Sequence, residues 1–390
     1  MNTKLNVCLL NDSFPPIIDG VANAVLNYAK IIEASYGKAV VATPSYPGAV
    51  DDYPFRVIRY PSVKSTKFFG YRAGIPVNPM TLRALIRCDF DIIHCHCPTV
   101  SSLIARSLRT AIKVPIIMTY HTKFDIDIAN SFDSSFMQAT ASKLILSNIE
   151  ACDEIWAVSR GAGENLESLG YAGPWRVMEN GVDFPKGTAD AACVRRLRGE
   201  LGIDGEAPIF LFVGRIMWYK GIRTILDGLL KVQMRKIDFK MIFIGDGEDF
   251  DDVVSYARTL NLQNNCIFLG PVSDREKLRV YFSMADLFLF PSTFDTSGIV
   301  VKEAAACALA SVLVRGSAAA EGTTDGRNGI LINDSADALA AAVTGVAGNR
   351  AYMKSLGEKA MDELYLSWED SVARAVERYR ELLEEQKSGL

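Results

Sequence analysis

Two carboxylates, Asp295 and Glu303, bracket a small-polar turn, Thr296-Ser297-Gly298, and an aliphatic run, Ile299-Val300-Val301. A carboxylate accepts paired hydroxyls such as those of a ribose or a hexose. If a helix begins near Gly298, the backbone N–H groups of Ser297, Gly298 and Ile299 face out of its N-terminus, where they suit phosphate or sugar oxygens. The same spacing also fits a plainer arrangement, with Asp295 capping the helix and Glu303 paired on its surface. A second cluster lies upstream in "VGRIMWYKG" (213–221). There Gly214 and Arg215 end an apolar run, and Lys220-Gly221 opens the next helix. Arginine as a planar fork and lysine as a point charge can together neutralise a diphosphate; the alternative is a solvated loop.

Other polar groups follow apolar runs in the same way. Gly20, in "NDSFPPIIDGVAN", opens a helix whose first N–H groups could meet an anion, or the segment is an ordinary strand-to-helix turn. "IGDGED" (244–249) places glycines after a strand, but Phe250 breaks the G-x-G-x-x-G spacing of a dinucleotide site. The three histidines are His94, His96 and His121. On a strand, His94 and His96 of "HCHC" share one face while Cys95 and Cys97 share the other, so the four cannot close on one ion, and no metal is expected. His121 ends the apolar run "VPIIMTY", where ligands of such sheets collect, though a core histidine fits too. "DFD" (89–91) and "DID" (125–127) spell an acidic pair without the setting of a metal site.

These residues need elements to hold them. Short β-branched runs ("LNVCLLND", "KAVVATP", "FRVIRYP", "FDIIHCHC", "VPIIMTYHT", "EIWAVS") alternate with helical stretches such as 20–35, 99–112 and 134–150. The pattern restarts with "APIFLFVGR", "FKMIFIGDG", "NCIFLGPV", "ADLFLFPS" and "ASVLVRG". Strands alternating with helices predict parallel sheets covered on both faces, here two doubly wound α/β domains. "NGVDFPKGTADAA" (180–192) reads as their join, with the boundary near 185. The tail 367–387 is patterned as an amphipathic helix.

Length and composition agree. The chain has 390 residues, 49% hydrophobic and 23% charged, which suits two globular domains. A net charge of −4 implies no bulk nucleic-acid binding. The eight scattered cysteines, mostly within apolar runs, read as buried free thiols of a reducing compartment. No apolar stretch reaches the ~20 residues of a membrane span, and the N-terminus reads as a first strand rather than a signal peptide. A cytoplasmic protein is expected, resting at most on the inner face of a membrane.

Taken together, these segments resemble the retaining glycosyltransferases of the GT-B fold, the large family-4 (group 1) set. "FDTSGIVVKE" matches its E-x7-E signature as Asp295-x7-Glu303, and "GRIMWYKG" matches G-R-x-x-x-x-K-G. "IGDGED", "ENGVD", "VSR", "DIIHCHCP" and "YHT" match lesser motifs in the same order, from about residue 7 to 335. The resemblance implies an acceptor-binding Rossmann-like domain (1–185 plus 367–390, the C-terminal helix crossing back) and a donor-binding one (186–366). It implies a hexose moved from a nucleotide-diphosphate sugar, UDP-sugar favoured, to an acceptor hydroxyl with retained configuration. Neither metal nor other cofactor is expected. Arg215 and Lys220, with Gly214 beside them, would bind the diphosphate, and Glu303 the ribose. Asp295 would hold sugar hydroxyls, with backbone N–H groups at Ser297, Gly298 and Ile299. Gly20 would face the diphosphate from the other domain, and His121 would lie near the transferred sugar.

Two departures stand out: Asp295 where the family usually has Glu, and Asp19-Gly20 where it has Gly-Gly. The Asp at 295 with "DSFPP" and "YHTKFD" is similar to enzymes that glycosylate diacylglycerol, so a lipid acceptor is the leading expectation and a glycan or small molecule the alternative. A basic and aromatic stretch, 59–74, with Lys64, Lys67, Arg72, Phe68, Phe69 and Tyr71, could rest on an anionic membrane or be an ordinary surface loop. The rival readings are a GT-B relative with other chemistry, such as a sugar-nucleotide epimerase or a phosphorylase, then a non-catalytic nucleotide-sugar-binding protein, and third an NAD oxidoreductase.

Overall fold

Alternation within each strand sends successive side chains to opposite faces of a sheet, and both faces here are covered. The computed structural model describes residues 4–17, 19–64, 72–76, 78–122, 124, 128, 134–203 and 205–388. The chain divides into two units, Met1–Asn180 with Trp368–Leu390, and Gly181–Ser367.

The N-terminal unit carries β1 (Leu5–Leu10), β2 (Gly37–Pro44), β3 (Arg56–Tyr60), β4 (Ser62–Val63), β5 (Ala73–Gly74), β6 (Ile92–Cys95), β7 (Ile116–Tyr120), β8 (Glu154–Ala157) and β9 (Arg176–Val177). Seven of them form a parallel sheet in the order β3-β2-β1-β6-β7-β8-β9, with β4 and β5 pairing separately as an antiparallel ribbon. Val7 and Leu9 of β1 pack into one core with Ile117 and Trp156, while Cys8 and Leu10 pack into the other with Ile93 and Met118. The C-terminal helix Trp368–Ser388 closes the first of these cores with Trp368, Val372 and Tyr379. Tyr379 stacks on Trp156 at 5.5 Å between ring centroids, so the tail is an integral layer of this unit.

The C-terminal unit carries β10 (Ile209–Val213), β11 (Lys240–Ile244), β12 (Cys266–Phe268), β13 (Leu287–Phe290), β14 (Ser311–Val314) and β15 (Ile330–Ile332), parallel in the order β12-β11-β10-β13-β14-β15. Its core is rich in phenylalanine, with Phe212 stacked on Phe290 and Phe288 on Phe290. Each sheet thus reverses its strand order once, at β1/β6 and at β10/β13. In open α/β sheets the crevice for a ligand lies beyond the carboxyl ends of the strands at such a reversal. All eight cysteines are free thiols. Among the described residues no helix is long and apolar enough to cross a membrane.

Candidate functional site

Close backbone approach builds the strand-end loops of the C-terminal unit. Gly221 has φ +75°, and a Cβ there would sit 2.3 Å from the carbonyl oxygen of Pro291. A Cβ at Gly245 would sit 1.9 Å from the oxygen of Gly214, and one at Gly247 2.3 Å from that of Ile216. Only glycine permits these approaches, so the loops after β10, β11 and β13 lie against one another.

That packing brings Lys220 and Asp295 together. The Lys220 Nζ donates to Asp295 Oδ1 at 2.7 Å, with both side chains largely buried. The ammonium also lies 5.6 Å and 5.8 Å from the ring centres of Tyr219 and Phe294. Asp295 Oδ2 is buried and has no hydrogen-bond partner among the described residues. Arg215, on the same loop as Lys220, is exposed and forms no ion pair among the described residues. The two cations expected to share a diphosphate therefore differ: one is compensated by a carboxylate, the other is not.

A helix does begin after Gly298, spanning Ile299–Ala306, with Gly298 in the left-handed region as its cap. Asp295 does not cap it, because that terminus has no side-chain cap. A Cβ on Gly298 would approach the Cα of Ala319 to 2.9 Å, so the turn is pressed against the segment after β14. Glu303, inside this helix, is buried rather than a surface partner. Its Oε1 accepts from the Arg275 guanidinium at 2.6 Å, and Arg275 stacks on Phe184 and lies 3.8 Å from Asp183. Burial raises the Glu303 pKa, and the attraction of Arg275 offsets this only in part. Sequence reasoning missed Arg275. Its one local signal was Asp183 in "ENGVD", which the fold brings beside the same guanidinium.

In the N-terminal unit the expected anion site at Gly20 is altered by its neighbour. Asp19 Oδ1 accepts from the backbone N–H groups of Val21 and Ala22 at 2.8 and 2.7 Å, so the helix Gly20–Ile31 is capped by its own carboxylate. The N–H groups expected to be open to a ligand there are occupied. Gly20 itself has no atom within 4 Å of a Cβ position, so the unit's own packing does not require glycine. Asp12, after β1, accepts from Tyr60 Oη, the Ser101 and Val100 N–H groups and the Thr99 and Ser101 hydroxyls, fixing the start of the helix Val100–Ile112.

The histidines are structural partners of one another. His94 Nδ1 meets Tyr379 Oη at 2.6 Å and Nε2 meets Thr119 Oγ1 at 2.7 Å, tying β6 to β7 and to the C-terminal helix. His94 and His96 share one face, with ring centres 4.0 Å apart. His96 Nδ1 meets His121 Nε2 at 3.0 Å. Burial pushes the His121 pKa down to about 3 and that of His96 well below its ordinary value, so both are neutral imidazoles near pH 7. His121 stands at the carboxyl end of β7, able to exchange hydrogen bonds but not to offer a positive charge.

In the 59–74 stretch, residues 65–71, including Lys67, Phe68, Phe69 and Tyr71, lie outside the described residues, as do 125–127 of "DID". Of the rest, Arg59 is bound to Asp51 and Arg72 donates to the Ser62 hydroxyl and carbonyl, while Lys64 is exposed.

Comparison with known proteins places this geometry. Residues 194–363 match the family described as Glycosyl transferases group 1, and residues 18–185 match Glycosyltransferase Family 4. The chain is 24% identical over 307 residues to the alpha-monoglucosyldiacylglycerol synthase of Streptococcus pneumoniae, covering 77% of this chain and 69% of that one. It is 22% identical over 343 residues to the enzyme of the same name from Acholeplasma laidlawii, covering 84% and 85%. Among solved structures, Anabaena HepE in complex with UDP and glucose superposes with a TM-score of 0.72 at 17% identity, covering 96% of this chain and 99% of that one. Sucrose-phosphate synthase from Thermosynechococcus elongatus gives 0.76 at 20%, covering 98% and 100%. The structural likenesses concern the fold; with a family match on each of its two Rossmann-like units, the chain belongs to the GT-B glycosyltransferases.

Proposed function

We propose that this glycosyltransferase moves a hexose from a nucleotide-diphosphate sugar, with UDP-sugar favoured, to a hydroxyl of a membrane lipid of the diacylglycerol class, retaining the anomeric configuration. The observation that carries the donor half is the pairing of Lys220 with Asp295 at the strand reversal β10/β13, beside exposed Arg215. Arg215 and Lys220 neutralise the diphosphate, and Asp295, whose Oδ2 lacks a partner, turns toward sugar hydroxyls. The N–H groups at Ser297, Gly298 and Ile299 add a helix N-terminus to the same anion. Glu303, held by Arg275, accepts from the ribose. The acceptor half rests on the two relatives named monoglucosyldiacylglycerol synthases. Their names specify an α-linked product, which from an α-linked nucleotide donor is retention.

The reaction breaks the bond between the anomeric carbon and the diphosphate oxygen and forms one between that carbon and the acceptor oxygen on the same face. The acceptor proton passes to the departing diphosphate. The main demand is stabilisation of charge growing on that leaving group, which fixed cations and oriented N–H groups provide without reorganising. In this scheme Arg215 and Lys220 supply the charge and no metal is invoked. His121, neutral at the end of β7, orients the sugar by hydrogen bonding.

The test is a thermal-shift panel of UDP, GDP, ADP and NAD on wild type and Glu303→Ala, followed by transfer from the preferred nucleotide sugar to diacylglycerol vesicles. Stabilisation by UDP that is lost in the variant, with an α-glycolipid product, is expected. Stabilisation by none of the nucleotides refutes the donor site, and turnover only on soluble glycans refutes the lipid acceptor.

A further inference from the structure

His96 is a buried titratable side chain beside the one histidine assigned to the sugar. It follows β6 directly, and its main-chain N–H donates to the Leu10 carbonyl at 2.8 Å, so the ladder with β1 fixes the direction in which the side chain leaves the sheet. Three rings then hold the imidazole: the centres of His94, Tyr28 and His121 lie 4.0, 5.4 and 5.2 Å away. His94 is not its hydrogen-bond partner, because Tyr379 and Thr119 engage both nitrogens of that ring. Among the described residues the His96 ring has one polar contact, Nδ1 to His121 Nε2 at 3.0 Å.

The positions of the protons follow from these surroundings. Burial keeps both rings neutral near pH 7, so each carries one proton, and the hydrogen bond between them needs a single proton between the two nitrogens. Two arrangements meet that condition. If His121 donates from Nε2, the His96 proton must lie on its own Nε2. That atom is sealed from solvent and has no acceptor among the described residues. If His96 donates from Nδ1 instead, its Nε2 is an unused acceptor, and the His121 proton lies on Nδ1. Folded proteins leave a buried acceptor unused more readily than a buried N–H. His121 Nδ1 also forms no hydrogen bond among the described residues, but unlike His96 Nε2 it is not sealed from solvent. The second arrangement therefore puts the one unengaged N–H of the pair on an atom that a ligand can reach.

We propose that His96 is a positioning residue: it donates from Nδ1 to His121 Nε2 and so holds His121 with its own proton on Nδ1, as a hydrogen-bond donor to an oxygen of the transferred sugar. The sugar contact rests on the donor reading above, whereas the proton arrangement belongs to the N-terminal unit alone. His96 touches no substrate in this scheme and acts only through the ring beside it.

The experiment is long-range ¹H–¹⁵N correlation NMR of the full chain labelled with ¹⁵N-histidine. Only three histidines contribute signals, and the signal lost in each of His96→Asn and His121→Asn assigns them. Near pH 7 the neutral form protonated at Nδ1 is expected for both His96 and His121. A His121 ring protonated at Nε2, or charged, overturns the proposal. A UDP-hexose that stabilises the enzyme against heat should move the His121 Nδ1 resonance, and UDP alone should not; a stabilising UDP-hexose that leaves it unmoved also overturns the proposal. If no nucleotide sugar stabilises the enzyme, the donor reading fails, and the spectrum of the free enzyme still decides where the proton sits. His96→Asn places an amide N–H where the imidazole Nδ1 stood, so the His121 form and the turnover of UDP-hexose should survive. His96→Asp offers only an acceptor there. It should move the His121 proton to Nε2 and lower turnover about tenfold, with the thermal shift by UDP kept. Equal turnover by the Asn and Asp variants overturns the proposal, since lost packing alone would not tell them apart.

Discussion

Replacing Lys220 by Met should expose the energetic design of the donor site. The Lys220 and Asp295 side chains are 10% and 20% exposed, and their charged atoms are 2.7 Å apart. Removing one partner of a buried ion pair leaves an uncompensated charge, costing about 3–5 kcal/mol. Because a fifth of the Asp295 side chain still meets solvent, the lower figure, about 3 kcal/mol, applies here. For a unit of this size that lowers Tm by roughly 6–12 °C. Lys220→Met combined with Asp295→Leu should recover most of the loss, since no buried charge then remains. The control is Lys186→Met, whose partner Asp362 is well exposed and whose Tm should not move. The same variants separate stability from function. Lys220→Met should lose the stabilisation that UDP gives. Asp295→Asn frees the ammonium from its counter-charge and should tighten UDP about tenfold, about 1.4 kcal/mol, while sugar transfer falls. Differential scanning calorimetry with and without UDP reads both effects. A Lys220→Met variant as stable as Lys186→Met, or an Asp295→Asn variant that binds UDP more weakly, would refute this account.

Glu303→Gln tests the buried acid. Its folded pKa is raised by burial, so its contribution favours the folded state below the ordinary carboxylate range and is lost as pH rises through the raised value. The Tm of wild type relative to Glu303→Gln should therefore improve as pH falls from 8 to 4, and the opposite slope would contradict the assignment. Gly221→Ala should cost about 1–3 kcal/mol from its left-handed conformation alone, more with the Pro291 clash, and should abolish the UDP shift. Gly20→Ala should stay within about 0.5 kcal/mol of wild type, so any activity it loses reports a ligand approaching that backbone. Tyr379→Phe leaves His94 Nδ1 unpaired and should cost about 1–3 kcal/mol, visible as faster hydrogen exchange in the C-terminal helix.

The alternation of short apolar runs with helical stretches was enough to determine two parallel sheets, because strand burial on both faces is written in each local run. The order of the motifs was enough to mark the GT-B likeness, and a helix start near Gly298 was legible from Thr296-Ser297-Gly298 and the aliphatic residues that follow, whereas the left-handed torsion of Gly298 was not. Partnership was not legible. Lys220 meets Asp295 because β10 lies beside β13, and Glu303 meets Arg275 because the helices before and after β13, Arg275–Met284 and Ile299–Ala306, bring the two side chains together. The Asp19 carboxylate could be seen to replace a glycine, but its occupation of the Val21 and Ala22 N–H groups is a matter of torsion angles. "HCHC" showed which histidines share a face, while only the neighbouring strand β7 decided that His96 would face His121. The cavity of about 550 Å³ in the N-terminal unit depends on the space left between the helices Val100–Ile112 and Ser135–Glu150 and the strand ends, a property of packing rather than of any segment. Local sequence fixes what each element is and which face it buries; which elements become neighbours, and so which charges neutralise one another, is decided when the sheets assemble.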